Sequence, residues 1–211
     1  MEHSPNKIQY VLKVLREDPF EFSRLFHVAF ATVYARFIKR CVSSGTTVER
    51  GVRFVNPSNI SIGKGSLLKE YVYLRAGAMG YIRCGERIAF NSFTSITGHG
   101  GVEIGDDTQL GPGTLITTTG HDYRAGLETE FSKVTLGKRV WVGARAIILP
   151  GVTIGDNTVI GAGSVVNKDL PGNCVAVGVP AKVIKIFDEP HEAEAAKTAD
   201  IKGELAEAPA V

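Results

Sequence analysis

The sequence predicts an all-β solenoid, a three-sided prism of stacked coils, and three features of its pattern point there. From Leu136 onward an aliphatic residue recurs at every sixth position, at Leu136, Val142, Ile148, Ile154, Ile160 and Val166. Glycine follows directly at Gly137, Gly143, Gly155 and Gly161, and a second small or apolar residue stands four positions on, at Val140, Ala146, Val152, Thr158, Ser164 and Leu170. A period of six fits neither the 3.6 residues of a helical turn nor simple strand alternation, but it suits a short straight strand followed by a tight bend. One aliphatic side chain per hexad points inward, and glycine accepts the angles and crowding of the corner. A β-sandwich with many glycine turns does not hold one phase over six consecutive repeats.

The elements follow in chain order. Residues 7–40 carry helical apolar spacing, first at Ile8, Val11, Leu12 and Leu15, then from Phe22 to Ile38, with Asp18-Pro19 as the break between two helices. The second of these is rich in phenylalanine. Its basic residues are few and near its ends, so docking of 22–38 on protein is favoured over contact with a membrane surface. The hexad appears at Ile62, Leu68 and Leu74, and again at Ile104, Leu110 and Ile116. Residues 62–79, 104–121, 136–153 and 154–171 each make one 18-residue coil, and 82–103 makes one with a small insertion, so about five coils are expected. Between Ile116 and Leu136 the phase breaks, and the polar stretch 121–133 reads as an excursion from the prism. The expected organisation is therefore a helical segment over 1–50, the solenoid over 51–186 and a tail over 187–211. That tail is rich in Ala and Glu, with little to bury.

Composition narrows the function. The 24 Lys and Arg nearly balance the 22 Asp and Glu, so no basic footprint for nucleic acid exists. Cys41, Cys84 and Cys174 have no CxxC spacing, which suggests neither a disulfide framework nor a zinc site. With charged residues scattered through the first thirty positions and no apolar run of about 18, a cytoplasmic protein is expected. The repeat region holds two histidines, His99 and His121. His121 stands at the break in phase, where an imidazole can take a proton from an attacking hydroxyl or amine and return it to a leaving group. Two coil histidines are too few for the three ligands of a β-helical zinc anhydrase, and no metal is expected.

Residues 90–186 resemble the hexapeptide-repeat acetyltransferases, above all the galactoside and maltose O-acetyltransferases. The phrases that carry the resemblance are TTTGHDY at 117–123, VTLGKRVWVGARAIILPGVTIGDNTVIGAGSVVNKDLP at 134–171 and VAVGVPAKVI at 175–184. It implies a left-handed parallel β-helix, a homotrimer with active sites between subunits, and acetyl-CoA as co-substrate with a saccharide acceptor. By the same resemblance His121 is the catalytic base. Asn91, His99, Glu128 and Trp141 fall to the acceptor and acetyl end, with His99 where the galactoside enzyme has an aspartate. Gly143, Ala144, Ala162, Asn167, Lys168, Lys182 and Lys185 fall to coenzyme A, the small residues beside the pantetheine arm and the lysines near the nucleotide. A backbone amide near Gly143 or Ala144 is expected to hold the oxyanion. The function expected is acetyl transfer to a sugar hydroxyl, in polysaccharide or glycoconjugate synthesis. Its alternatives are transfer to the amine of an amino-sugar nucleotide and a non-enzymatic β-helical scaffold.

Overall fold

The computed structural model describes residues 29–30, 40–122 and 126–187. The helices expected over 7–40, apart from Ala29 and Phe30, the tail over 188–211 and the middle of the excursion lie outside the described residues. Within them the chain winds into six complete coils, one more than the sequence pattern counts, because the coil stack begins at Val42 rather than near 51. That first coil is hard to read from sequence, because no glycine directly follows Val42, Val48 or Phe54, as one does in the later repeats.

Three parallel sheets form the faces of the prism. In chain order each coil visits a first face (Ile60–Ile62, Ile82–Cys84, Val102–Ile104, Val134–Leu136, Thr153–Ile154), then a second and a third. The second face contains Thr47–Val48, Leu67–Leu68, Ala89–Phe90, Gln109–Leu110, Trp141–Val142, Val159–Ile160 and Cys174–Val177. The third contains Arg53–Val55, Tyr73–Ala76, Ser95–Gly98, Leu115–Thr117, Ile147–Ile148 and Val165–Val166. Strand Lys182–Ile186 closes the second face, running antiparallel to Cys174–Val177.

The hexad aliphatics point inward as expected. Leu68, Leu74, Leu110, Ile116, Val142 and Ile148 are wholly buried, and Phe90 is the largest side chain in the core. Each such burial removes about 1.5–3 kcal/mol worth of apolar surface from water. The second position of each hexad is also buried, and where it is polar its hydroxyl is satisfied locally. Thr94 donates to the Asn91 carbonyl at 2.7 Å, Thr114 to Gly111 at 2.8 Å and Thr158 to Pro171 at 2.8 Å.

The corner glycines are required by crowding rather than by backbone angle. A Cβ on Gly143 would lie 2.5 Å from the Ala162 amide nitrogen of the next coil, and one on Gly105 2.6 Å from the Gly137 carbonyl carbon. The left-handed backbone falls two positions later, at Arg139, Arg145 and Asn157, with φ of 53°, 58° and 57°.

The three edges differ. From first to second face the step is constant (Ile62 to Leu67, Leu136 to Trp141), and charges stack along it: Arg87 bonds Asp107 at 2.6 and 2.8 Å. This bond holds the Asp107 carboxyl below its usual range. From second to third face the step is equally constant (Phe90 to Ser95, Val142 to Ile147), and we call this the narrow edge. Every extra residue enters from third face back to first, at the insertion edge. There the chain adds a 3-10 turn at Pro57–Asn59, the bulge around Met79 and the whole excursion between Thr117 and Val134.

Candidate active site

The excursion is a β-hairpin, with Thr119–Asp122 antiparallel to Glu128–Phe131. Its turn contains two consecutive left-handed residues, Gly126 and Leu127 at φ 74° and 64°, which return the Leu127 carbonyl toward His121. His121 Nδ1 lies 3.3 Å from that oxygen. A carbonyl only accepts, so Nδ1 carries the hydrogen and Nε2 of the neutral ring keeps its lone pair. The ring is solvent-exposed, and its free nitrogen is available as a base.

His99 lies at the same edge one coil earlier. Its Nδ1 is 3.3 Å from the Thr119 hydroxyl and its ring stacks on Phe131 at 5.7 Å between centroids, so it pins the root of the hairpin that carries His121. Glu128 pairs with Asp122 across the hairpin, whereas His121 pairs with Thr129. Neighbours along a strand face opposite ways, so Glu128 is on the far side of the ribbon from His121.

Asn91, Gly143, Ala144 and Ala162 gather instead in one column on the narrow edge. The amides of Asn91, Gly111, Gly143 and Gly161 donate to Leu110, Val142, Ile160 and Ala176 at 2.8–3.0 Å, which stacks the corners directly. The Asn91 side chain also donates to the Leu110 carbonyl at 2.8 Å, through its amide nitrogen. Because the Gly143 N–H is already bonded to Ile160 at 2.8 Å, it is not a free donor. The Ala144 N–H has no acceptor among the described residues. Trp141 sits 58% exposed on the second face beside this column.

The lysines divide. Lys182 pairs with Val177 toward the narrow edge and Lys185 with Val175 at the other end of the same strand pair, both exposed at the end of the stack, with the Lys185 ammonium 5.0 Å from the Phe187 ring. Asn167 and Lys168 are exposed at the insertion edge, at the same end of the prism. One prism therefore holds the two groups of expected residues on different edges. The four-residue strand Ser95–Gly98 alone spans on the order of 13 Å between the edges, too far for one reacting atom to touch Asn91 and His121 of the same copy.

A galactoside O-acetyltransferase of Escherichia coli K12 is 36% identical over 151 residues, covering 70% of this chain and 73% of that protein. The chain belongs to the hexapeptide-repeat acetyltransferases. Residues 133–168 match the family described as bacterial transferase hexapeptide (six repeats), and the coil of this acyltransferase is accordingly left-handed. A second galactoside O-acetyltransferase, from Lactococcus lactis subsp. lactis IL1403, is 32% identical over 67% of this chain and 70% of its own. Among solved structures, PerB from Caulobacter crescentus in complex with CoA and GDP-perosamine aligns with a TM-score of 0.53 at 26% identity. That match covers 66% of this chain and 57% of PerB.

Three groups that touch His99 and His121 were not legible beforehand: the Leu127 carbonyl, the Thr119 hydroxyl and the Phe131 ring. Each matters only through the antiparallel pairing of a polar hairpin, which leaves no hydrophobic period to read. No three His, Cys, Asp or Glu side chains cluster as a metal site among the described residues, and no described helix is long and apolar enough to cross a membrane.

Proposed function

We propose that this acetyltransferase moves an acetyl group from acetyl-CoA to a sugar hydroxyl, at a site built where the narrow edge of one copy meets the insertion edge of the next in a homotrimer. The carrying observation is the His121 tautomer, a base nitrogen held free on an edge that lacks the donor groove. Small residues at Gly143, Ala144 and Ala162 let an extended pantetheine arm lie close against the stacked corners. Lys182 and Lys185 from the strand that closes the second face, with Asn167 and Lys168 from the facing insertion edge, answer the nucleotide phosphates as point charges.

In the reaction the acceptor oxygen attacks the thioester carbonyl carbon while His121 Nε2 takes the hydroxyl proton. The Ala144 N–H, with the Asn91 side chain nearby, steadies the oxygen of the tetrahedral intermediate. Collapse breaks the C–S bond, and the imidazolium gives its proton to the leaving thiolate, so no covalent enzyme intermediate is needed. His99 acts by holding the hairpin and bordering the acceptor. A cytoplasmic setting belongs to the same reading, in which Cys41, Cys84 and Cys174 are buried thiols. Participation in polysaccharide or glycoconjugate synthesis extends it.

The second reading, transfer to an amino-sugar nucleotide, draws support from the likeness to PerB, whose structure was solved with GDP-perosamine. Paired hydroxyl and amino acceptors in a kinetic assay separate the two. Under either, His121→Ala loses about a hundredfold to ten-thousandfold in kcat while its affinity for coenzyme A stays the same. Near-normal turnover of the folded variant sinks the mechanism.

A further inference from the structure

Below His99 on the same edge the first face carries an open depression of about 410 Å³, lined by Ser58, Ser61, Met79, Gly80, Tyr81 and Arg83. Its size is that of a small-molecule subsite. It adjoins the proposed acceptor end, because Gly80 packs directly on the His99 backbone: a Cβ there would lie 2.3 Å from the His99 carbonyl oxygen. Tyr81 likewise fills the space over Gly101.

Its electrostatics are unusual for a strand surface. Arg83 and Glu103 are direct cross-strand partners, an arrangement that ordinarily makes an ion pair. Here both oxygens of Glu103 are taken. Tyr81 donates its hydroxyl to one at 2.9 Å and Lys133 its ammonium to the other at 2.7 Å. The Arg83 guanidinium instead lies over the Tyr81 ring at 4.1 Å and has no carboxylate partner among the described residues. The result is a planar fork of donors held on an aromatic face, beside the exposed Ser61 and the fully exposed Met79 at the rim. A flat guanidinium suits a carboxylate or phosphate, hydroxyls suit sugar hydroxyls, and the Met79 side chain offers an apolar lip to a sugar C–H face.

We infer that this depression is an acceptor subsite for an anionic saccharide unit, one sugar away from the hydroxyl that is acetylated, with Arg83 reading its oxyanion. The inference rests on the acetyl-transfer reading for the identity of the neighbouring site. Its test is a binding measurement that does not depend on turnover. The full chain is titrated calorimetrically with 4-O-β-glucuronosyl-glucose, with neutral cellobiose and with UDP-N-acetylglucosamine, alongside Arg83→Ala and Arg83→Lys. At least one acidic probe should bind tenfold or more tightly than cellobiose. Arg83→Ala should abolish that advantage and Arg83→Lys retain part of it, with coenzyme A affinity and melting temperature unchanged. A gain for the uronate alone identifies a sugar carboxylate, and a gain for the nucleotide sugar alone identifies a phosphate. Equal binding of all three probes, no binding of any, or an acidic advantage that survives Arg83→Ala overturns the inference. Arg83-dependent binding without any acetyl transfer would uphold the subsite and overturn the transfer reading instead.

Discussion

Lys168 and the pair Lys182 and Lys185 illustrate how much a single residue depends on the edge it occupies. All three are exposed, so each acts as a solvated charge whose value is set by what it meets, and an exposed ion pair contributes about 0–1 kcal/mol. If Lys168 meets the 3′-phosphate of coenzyme A, Lys168→Ala should weaken coenzyme A severalfold by titration while leaving dephospho-coenzyme A almost untouched. Equal losses for both forms would remove the phosphate assignment. The cysteines are the contrasting case. Burial pushes the Cys84 thiol up to about 12, far from a nucleophile's range, as suits a residue packed in the core. The place of His121 at the root of the excursion was legible from the break in phase. Its tautomer was not, because the Leu127 carbonyl that sets it comes from a turn with no sequence signature of its own.

At the scale of the element, the hexad works because each coil supports the corner of its neighbour. The step across two of the edges never varies, so the inward column remains continuous, and every insertion is pushed to the third edge. This is why the sequence phase slips at 77–81, at 99–101 and over 118–133 while the core column does not. Glycines at the constant corners should tolerate nothing larger. Gly105→Ala would place a methyl against the Gly137 backbone, and overpacking of this kind costs about 1–3 kcal/mol. Gly120→Ala, in the hairpin, meets only the Pro150 ring at 4.0 Å and should cost less than about 0.5 kcal/mol. Denaturant melts of the two variants check the contrast; comparable losses would mean that the corners relax more readily than their spacing suggests.

For the whole molecule, the proposed function makes the assembly part of the chemistry, because a full face separates Asn91 from His121 within one copy. Asn91→Ala and His121→Ala should each be nearly inactive alone. After co-refolding, mixed assemblies should recover a substantial fraction of wild-type activity, because some junctions then pair an intact narrow edge with an intact insertion edge. Absence of recovery in a confirmed mixed trimer would place both residues in one copy's site and overturn the shared one. The solenoid, its inward residues and the histidine at the excursion were determined by the sequence alone, because a six-residue period records which side chains face a common axis at every turn. Tertiary structure decided how many coils there are, which corner each insertion enters and that Glu128 turns away from His121. It also left the Ala144 amide, rather than that of Gly143, unbonded. Those outcomes depend on contacts between residues many positions apart, through hydrogen bonds and strand register that leave no local period behind.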